Sequence, residues 1–277
     1  MKKPQWITIG VALAVVLIIY KFGRTTPSKT LTKPSAAHSV DLTDSILNYA
    51  KSQINAQQLV RITTLENSIS RGAVKDQQLK VYHQLAHFWS DSVGFFPPYA
   101  WYEAESARLE NSEKSLTFAA HLFLNNLQDE RNADFKRWEA LQAKDLFERS
   151  LKINPNNDSS KVGLGACYLF GNISAAPMEG LGKIMEVVKN DSTNVFAQMT
   201  LAKGAMLSGQ YDKAITRLLL VNRLQPENPE VILMLADAYE KSQDNSNAVK
   251  WYKRSLPFMG RPDVREAVEK RIKDLEK

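Results

Sequence analysis

The sequence predicts an all-α chain: a solenoid of stacked helix–turn–helix repeats, preceded by an apolar N-terminal helix and closed by a charged C-terminal one. Three observations lead there. Apolar residues recur at helical spacing, and no strand-like alternation runs long enough to matter. The C-terminal half superimposes on itself at a fixed period. The first residues carry an uninterrupted apolar run.

Composition narrows the function classes. The 277 residues are 44% apolar and 24% charged, ordinary for a globular protein with a substantial core. The single cysteine, Cys167, rules out a disulfide framework and a cysteine-based zinc site. The net charge of +6 resembles a nucleic-acid signal, but six basic residues (Lys2, Lys3, Lys21, Arg24, Lys29 and Lys33) precede the first acidic one, Asp41. Without them, 30 Lys and Arg balance 30 Asp and Glu. A neutral body offers no basic stripe for nucleic acid.

The apolar run extends from Trp6 to Tyr20, and counted on through Lys21 to Phe22 it is 17 residues or about 25 Å of helix, at the short end of a bilayer span. Trp6 and Tyr20 suit the two interfaces, and Lys21 can snorkel. The competing reading is a cleaved signal peptide. The residues after the run (Lys21-Phe22-Gly23-Arg24-Thr25-Thr26-Pro27) match a cleavage site poorly, and Ser35-Ala36-Ala37 lies too far downstream. Residues 1–22 are therefore expected to be an uncleaved single-pass anchor, and 23–40 a flexible basic linker. Basic residues flank both ends of the run, so orientation rests on the short basic tail staying inside. The expectation is an inner-membrane protein with a periplasmic body, the alternatives being a cytoplasmic body or secretion after cleavage.

Within the body, Val195–Asn228 laid over Pro229–Pro262 gives a period of 34. Leu201 falls on Leu235, Ala202 on Ala236, Ala214 on Ala248 and Leu218 on Tyr252. A shift of 37 upstream sets Leu164 on Leu201 and Gly165 on Ala202, and after a turn three residues longer, Gly171 to Pro177, a shift of 34 sets Gly180 on Ala214. One unit earlier, Ala143, Phe147 and Pro155 take the places of Gly180, Ile184 and Ser192. Small residues at these positions let paired helices approach, and the adjacent leucines fill the space beside them. Asn-Pro-Asn and Gln-Pro-Glu-Asn stop one helix and start the next.

Leu164-Gly165-x-x-Tyr168, Tyr211-Asp212-Lys213-Ala214 ending at Leu224-Gln225-Pro226, and Leu235-Ala236-x-x-Tyr239 with Ala248-Val249-x-x-Tyr252 resemble the tetratricopeptide repeat. On this resemblance the body divides into a helical region with a degenerate repeat (41–115), a divergent repeat (116–157), three further repeats (158–194, 195–228 and 229–262) and a capping helix (263–277). In the degenerate repeat, Ala100, Ala104 and Ala107 follow Phe95-Phe96-Pro97-Pro98 as the small face of a second helix. Residues 41–71 read as one long helix, and Val264, Ala267, Val268, Ile272 and Leu275 as the buried face of the cap.

Catalytic candidates are few. His83 and His87 lie at i and i+4, the spacing of zinc proteases, but Gln84 stands where those need a glutamate base. Ordinary histidine packing is the simpler reading; a metal-dependent hydrolase is the enzymatic alternative. Gly180-Leu-Gly-Lys183 lacks the earlier glycine and the Ser or Thr of a phosphate loop. Trp89, Trp101, Trp138 and Cys167 read as core. Asn172-Ile-Ser and Asn190-Asp-Ser fit the glycosylation triplet, which arises readily by chance. No acid–base pair, nucleophile or dinucleotide loop emerges, so no cofactor and no small-molecule substrate are expected.

The resemblance instead implies protein recognition on a concave face, of the kind that serves envelope assembly or chaperone networks. A fixed structural subunit of a membrane complex is the second reading. The family assigns the concave face to positions 2, 5, 9 and 12 of each first helix. Here these are Ser159, Val162, Ala166 and Leu169; then Phe196, Met199, Lys203 and Met206; then Glu230, Leu233, Asp237 and Glu240. Protein-binding candidates are thus Val162, Phe196, Met199, Lys203, Met206, Leu233, Asp237 and Glu240. They lack the Lys and Asn set that holds a partner's C-terminal carboxylate. The acidic members suggest a ligand with a basic flank.

Overall fold

A computed structural model describes residues 37–70, 74–174 and 177–277. The expected anchor at 6–22 and the linker up to residue 36 lie outside these. Among the described residues no helix is long and apolar enough to cross a membrane. Contacts divide the chain between Ser39 and Val40, and the account below concerns the unit from Val40 onward.

The helices are α1 (Ala37–Ser52), α2 (Ala56–Ser70), α3 (Lys75–His87), α4 (Phe96–Glu110), α5 (Glu113–Leu127), α6 (Ala133–Ile153) and α7 (Asp158–Phe170). They continue as α8 (Met178–Asn190), α9 (Val195–Leu207), α10 (Tyr211–Leu224), α11 (Pro229–Lys241), α12 (Asn245–Ser255) and α13 (Pro262–Leu275). Successive pairs pack as hairpins: α3 with α4, α5 with α6, α7 with α8, α9 with α10, and α11 with α12. Each second helix also packs on the first helix of the next hairpin.

Capping residues carry the period as clearly as the core does. The side chains of Asn157, Asn194 and Asn228, spaced 37 and 34 apart, accept backbone N–H groups at the starts of α7, α9 and α11. The turn inside the last two hairpins also repeats. Gly209 at φ 71° in one becomes Gln243 at φ 67° in the other, so glutamine occupies a backbone conformation that glycine adopts freely.

Between α7 and α8 the backbones nearly touch. A Cβ on Gly180 would lie 2.5 Å from the Gly165 carbonyl oxygen, and one on Gly165 would lie 2.5 Å from Ile184 Cγ1. Alanines replace this glycine pair in the next two hairpins, and Ala202, Ala214, Ala236 and Ala248 are all fully buried.

Two sequence expectations change. The single helix over 41–71 breaks after Ser52. Asn55 Oδ1 accepts the Gln58 N–H at 2.9 Å and Gln58 Oε1 accepts the Asn55 N–H at 3.0 Å. This reciprocal cap starts α2 against the apolar periodicity. The second change concerns α13, where of the five residues expected to be buried only Ile272 is; Val264 and Ala267 are exposed. Charge also fastens α13, through Arg271 to Glu240 and Lys253 to Glu276 at 2.7 Å.

The remaining core expectations agree with the structure. Leu164, Leu201 and Leu235 are buried, as are Ala100, Ala104, Ala107, Trp89 and Trp138. Trp101 is half-buried against the same apolar groups. Cys167 is enclosed, and burial pushes its thiol well above the usual range.

Candidate protein-binding surface

Positions 2 and 9 of the first helices bring α5, α7 and α9 together. His121 on α5 sits 2.8 Å from the Ser159 hydroxyl of α7, with its ring 5.4 Å from that of Phe196 on α9. Lys203 Nζ on α9 donates to Gln128 Oε1, just past α5, at 2.6 Å. Helices α5 and α9 thus meet across α7.

The composition of α7 permits this. Gly163, Gly165 and Ala166 present almost no side chain, and every residue from Val162 to Cys167 is buried. Burial also holds the His121 imidazole below its ordinary range, so it serves this junction as a neutral ring. Val162 is therefore not on an accessible face. It packs with Ile184, Val187, Ala197 and Leu201 between α7, α8 and α9.

Met199 needs the same correction. It is 9% exposed and belongs to the core of α9, α10 and α11, with Leu218, Val231 and Leu235. Its sulfur and methyl fill a gap between hairpins rather than offering an anchor to a ligand.

Phe196, Lys203, Met206, Leu233, Asp237 and Glu240 are half-buried. The charged members are already engaged. Lys203 pairs with Glu230 at 2.7 Å, Asp237 with Lys241 at 3.1 Å, and Glu240 with Arg271. Tyr252 also donates to Glu240 at 3.0 Å. The hydrogen bond from Arg271 is the main reason the Glu240 carboxyl sits below the usual range. Cations of the same chain thus compensate the acidic residues expected to face a basic ligand. The basic-flank expectation loses its basis.

A single register position shows where apolar side chains become accessible. Position 5 is Val162 in α7, Met199 in α9, Leu233 in α11 and, one period further, Ala267 in α13. Its environment passes from fully buried through 9% exposed and half-buried to exposed. Position 2 of α13 is Val264, 39% exposed. Along positions 2 and 5, apolar exposure therefore grows toward the C-terminal end, on half-buried Leu233 and exposed Val264 and Ala267. Of these, the sequence reading named Leu233 and placed the other two inside the cap. One more step of the period would have found them.

The histidine pair does not converge on a metal. His83 Nε2 lies 3.2 Å from the Ser106 hydroxyl, and its Nδ1 lies 3.7 Å from Glu103. His87 Nδ1 instead faces Asp91 at 3.2 Å. Among the described residues no group of three or more His, Cys, Asp or Glu is placed to hold a metal ion.

No protein-family model matches the chain, and no curated protein does. Several solved structures are similar to it. One is MamA from Desulfovibrio magneticus RS-1, at 20% identity and TM-score 0.45, covering 65% of this chain and 93% of that one. Another is YrrB, described as a TPR protein with an unusual peptide-binding site, at 15% identity and TM-score 0.43, covering 69% and 91%. A third is a tetratricopeptide repeat protein from Parabacteroides merdae ATCC 43184, at 13% identity and TM-score 0.41, covering 80% and 88%.

Proposed function

We propose that this chain is a non-catalytic protein-interaction adaptor that grips a partner on the C-terminal part of its repeat face. The progressive exposure of position 5, from Val162 to Ala267, is the observation that carries this. An apolar strip rimmed by satisfied ion pairs suits a partner's apolar side chains, because the charges around it need no new counter-ions. In the same proposal, residues 6–22 anchor the adaptor in an inner membrane with the body exported, in the service of envelope assembly or a chaperone network. The apolar run without a nearby cleavage site supports the anchor.

A photo-crosslinking residue at Leu233 tests the surface in the native membrane. Adducts are expected from position 233 and not from position 178, where the exposed Met178 starts the outer helix α8. Equal adducts from both would move the binding site off this face. Adding Ala267→Glu to the chain with the crosslinker at 233 should abolish the adduct and leave the thermal melt nearly intact, since Ala267 is exposed. A stoichiometric partner surviving detergent purification would favour a fixed subunit over an adaptor. For the anchor, the full chain should stay in membranes through an alkaline carbonate wash, and protease added to spheroplasts should digest the body. Soluble protein beginning near His38 would establish signal cleavage instead, and complete protection from protease would place the body in the cytoplasm.

A further inference from the structure

Helix α1 belongs to none of the hairpins, yet it straddles the cores of the first two. Thr43, Ile46 and Ala50 are buried, with Leu42 and Leu47 half-buried beside them, while Asp44, Ser45, Asn48 and Tyr49 face outward. Ile46 joins the apolar core of α4, α5 and α6, where Ala100, Ala104 and Phe123 lie. Ala50 joins the separate core of α2, α3 and α4 around Ile62, Leu85 and Trp89.

Side chains hold the helix there. The Trp138 indole N–H of α6 donates to the Thr43 hydroxyl at 2.8 Å, and Lys51 pairs with Glu66 at 2.7 Å. At the far end the Tyr49 and Phe95 rings meet edge to face, 6.1 Å apart. This is the pattern of an amphipathic helix laid in a groove, with anchors one and two turns apart. The surface beneath is built by α2 and the first two hairpins, which also pack on one another.

We propose that α1 is an exchangeable occupant of a helix-binding seat, which takes in its place an amphipathic partner helix with the same face. That face is a hydroxyl opposite Trp138, a branched aliphatic three residues later and a small residue four beyond that. The seat goes beyond the strip at α11 and α13, since none of its residues belongs to those helices. While α1 is docked the seat is closed to the partner, so the partner's apparent affinity is its intrinsic affinity multiplied by the fraction of time α1 is away.

A synthetic peptide spanning residues 40–54 serves as the probe, added to the full chain carrying Ile46→Asp. The peptide should bind that variant saturably and shift Trp138 fluorescence to the blue. Its apparent affinity for the wild-type chain should be at least tenfold weaker, and a peptide carrying the same Ile46→Asp change should not bind. Failure to bind a folded Ile46→Asp chain overturns the proposal. So does equal binding to both chains. Hydrogen exchange on the wild-type chain decides the matter even if the variant does not fold. Amides of residues 42–52 should exchange by local opening, at least tenfold faster than those of α5 and α6. Exchange of all three helices at one common rate would make α1 a fixed part of the core and overturn the proposal.

Discussion

Replacing Leu235 by Asp is expected to remove about 4–5 kcal/mol of stability, the sum of a lost buried leucine and a carboxylate forced into an apolar site. Leu235 is fully buried among Met199, Ala202, Leu218, Val221 and Val231, so the charge would have three helices to desolvate it and no donor to meet it. Because each hairpin buries its apolar face against the next, the loss should spread beyond α11. Urea titration followed by circular dichroism should show an early transition, and hydrogen exchange should show α9 and α10 losing protection with α11. An unchanged melt would mean that Leu235 does not stand in this core.

A second large effect depends on pH. Glu139 on α6 is fully buried; its Oε1 accepts the Asn126 amide at 2.6 Å, and its Oε2 has no hydrogen-bond partner. Burial raises the carboxyl from 4.5 to about 7, aided by the nearby Glu130 and opposed by the Asn126 hydrogen bond and Lys136. The folded chain therefore keeps a proton that the unfolded chain releases at lower pH. Stability falls as pH rises from about 4.5 to about 7 and stays reduced above that. Glu139→Gln cannot ionise. It should match the wild type at pH 4.5 and exceed it at pH 8 by up to about 3 kcal/mol, the cost of ionising a buried acid whose affinity for its proton is raised this far. Urea unfolding of both chains across this range measures the difference. A difference that does not change with pH would show that Glu139 is charged in the folded state.

Much of the fold was legible in the sequence because repeats constrain it twice. The small residues at Gly165, Ala202 and Ala236, and at Gly180, Ala214 and Ala248, mark where helix backbones meet, and each is buried as the spacing requires. The break between α1 and α2 was hidden because Leu47, Ile54 and Leu65 all turn inward on either side of it, so apolar periodicity runs through the gap. The polar pair Asn55 and Gln58 carried the signal instead.

The binding face was less legible. Assigning Val162 and Met199 to an open surface assumes a regular superhelix, and whether first helices two repeats apart touch depends on side-chain size in the helix between them. Val264 and Ala267 share the apolar stripe of α13 with Ile272, yet only Ile272 is buried, a difference the stripe itself does not encode.

The meeting of α5 and α9 bears on how such a chain can lengthen or shorten. A linear array tolerates duplication or loss of a unit anywhere, because each unit touches only its neighbours. Here an extra hairpin inserted between α5 and α9 would part His121 from Phe196 and Lys203 from Gln128, and deleting α7 and α8 would leave α5 and α9 without the slender helix they close upon. In-frame gain or loss of whole hairpins is therefore disfavoured between α5 and α9 and open beyond α9, where the step from Asn194 to Asn228 is an unbroken 34 residues. The middle of the chain is fixed in copy number, and its C-terminal end is where descendants of this sequence can differ in length.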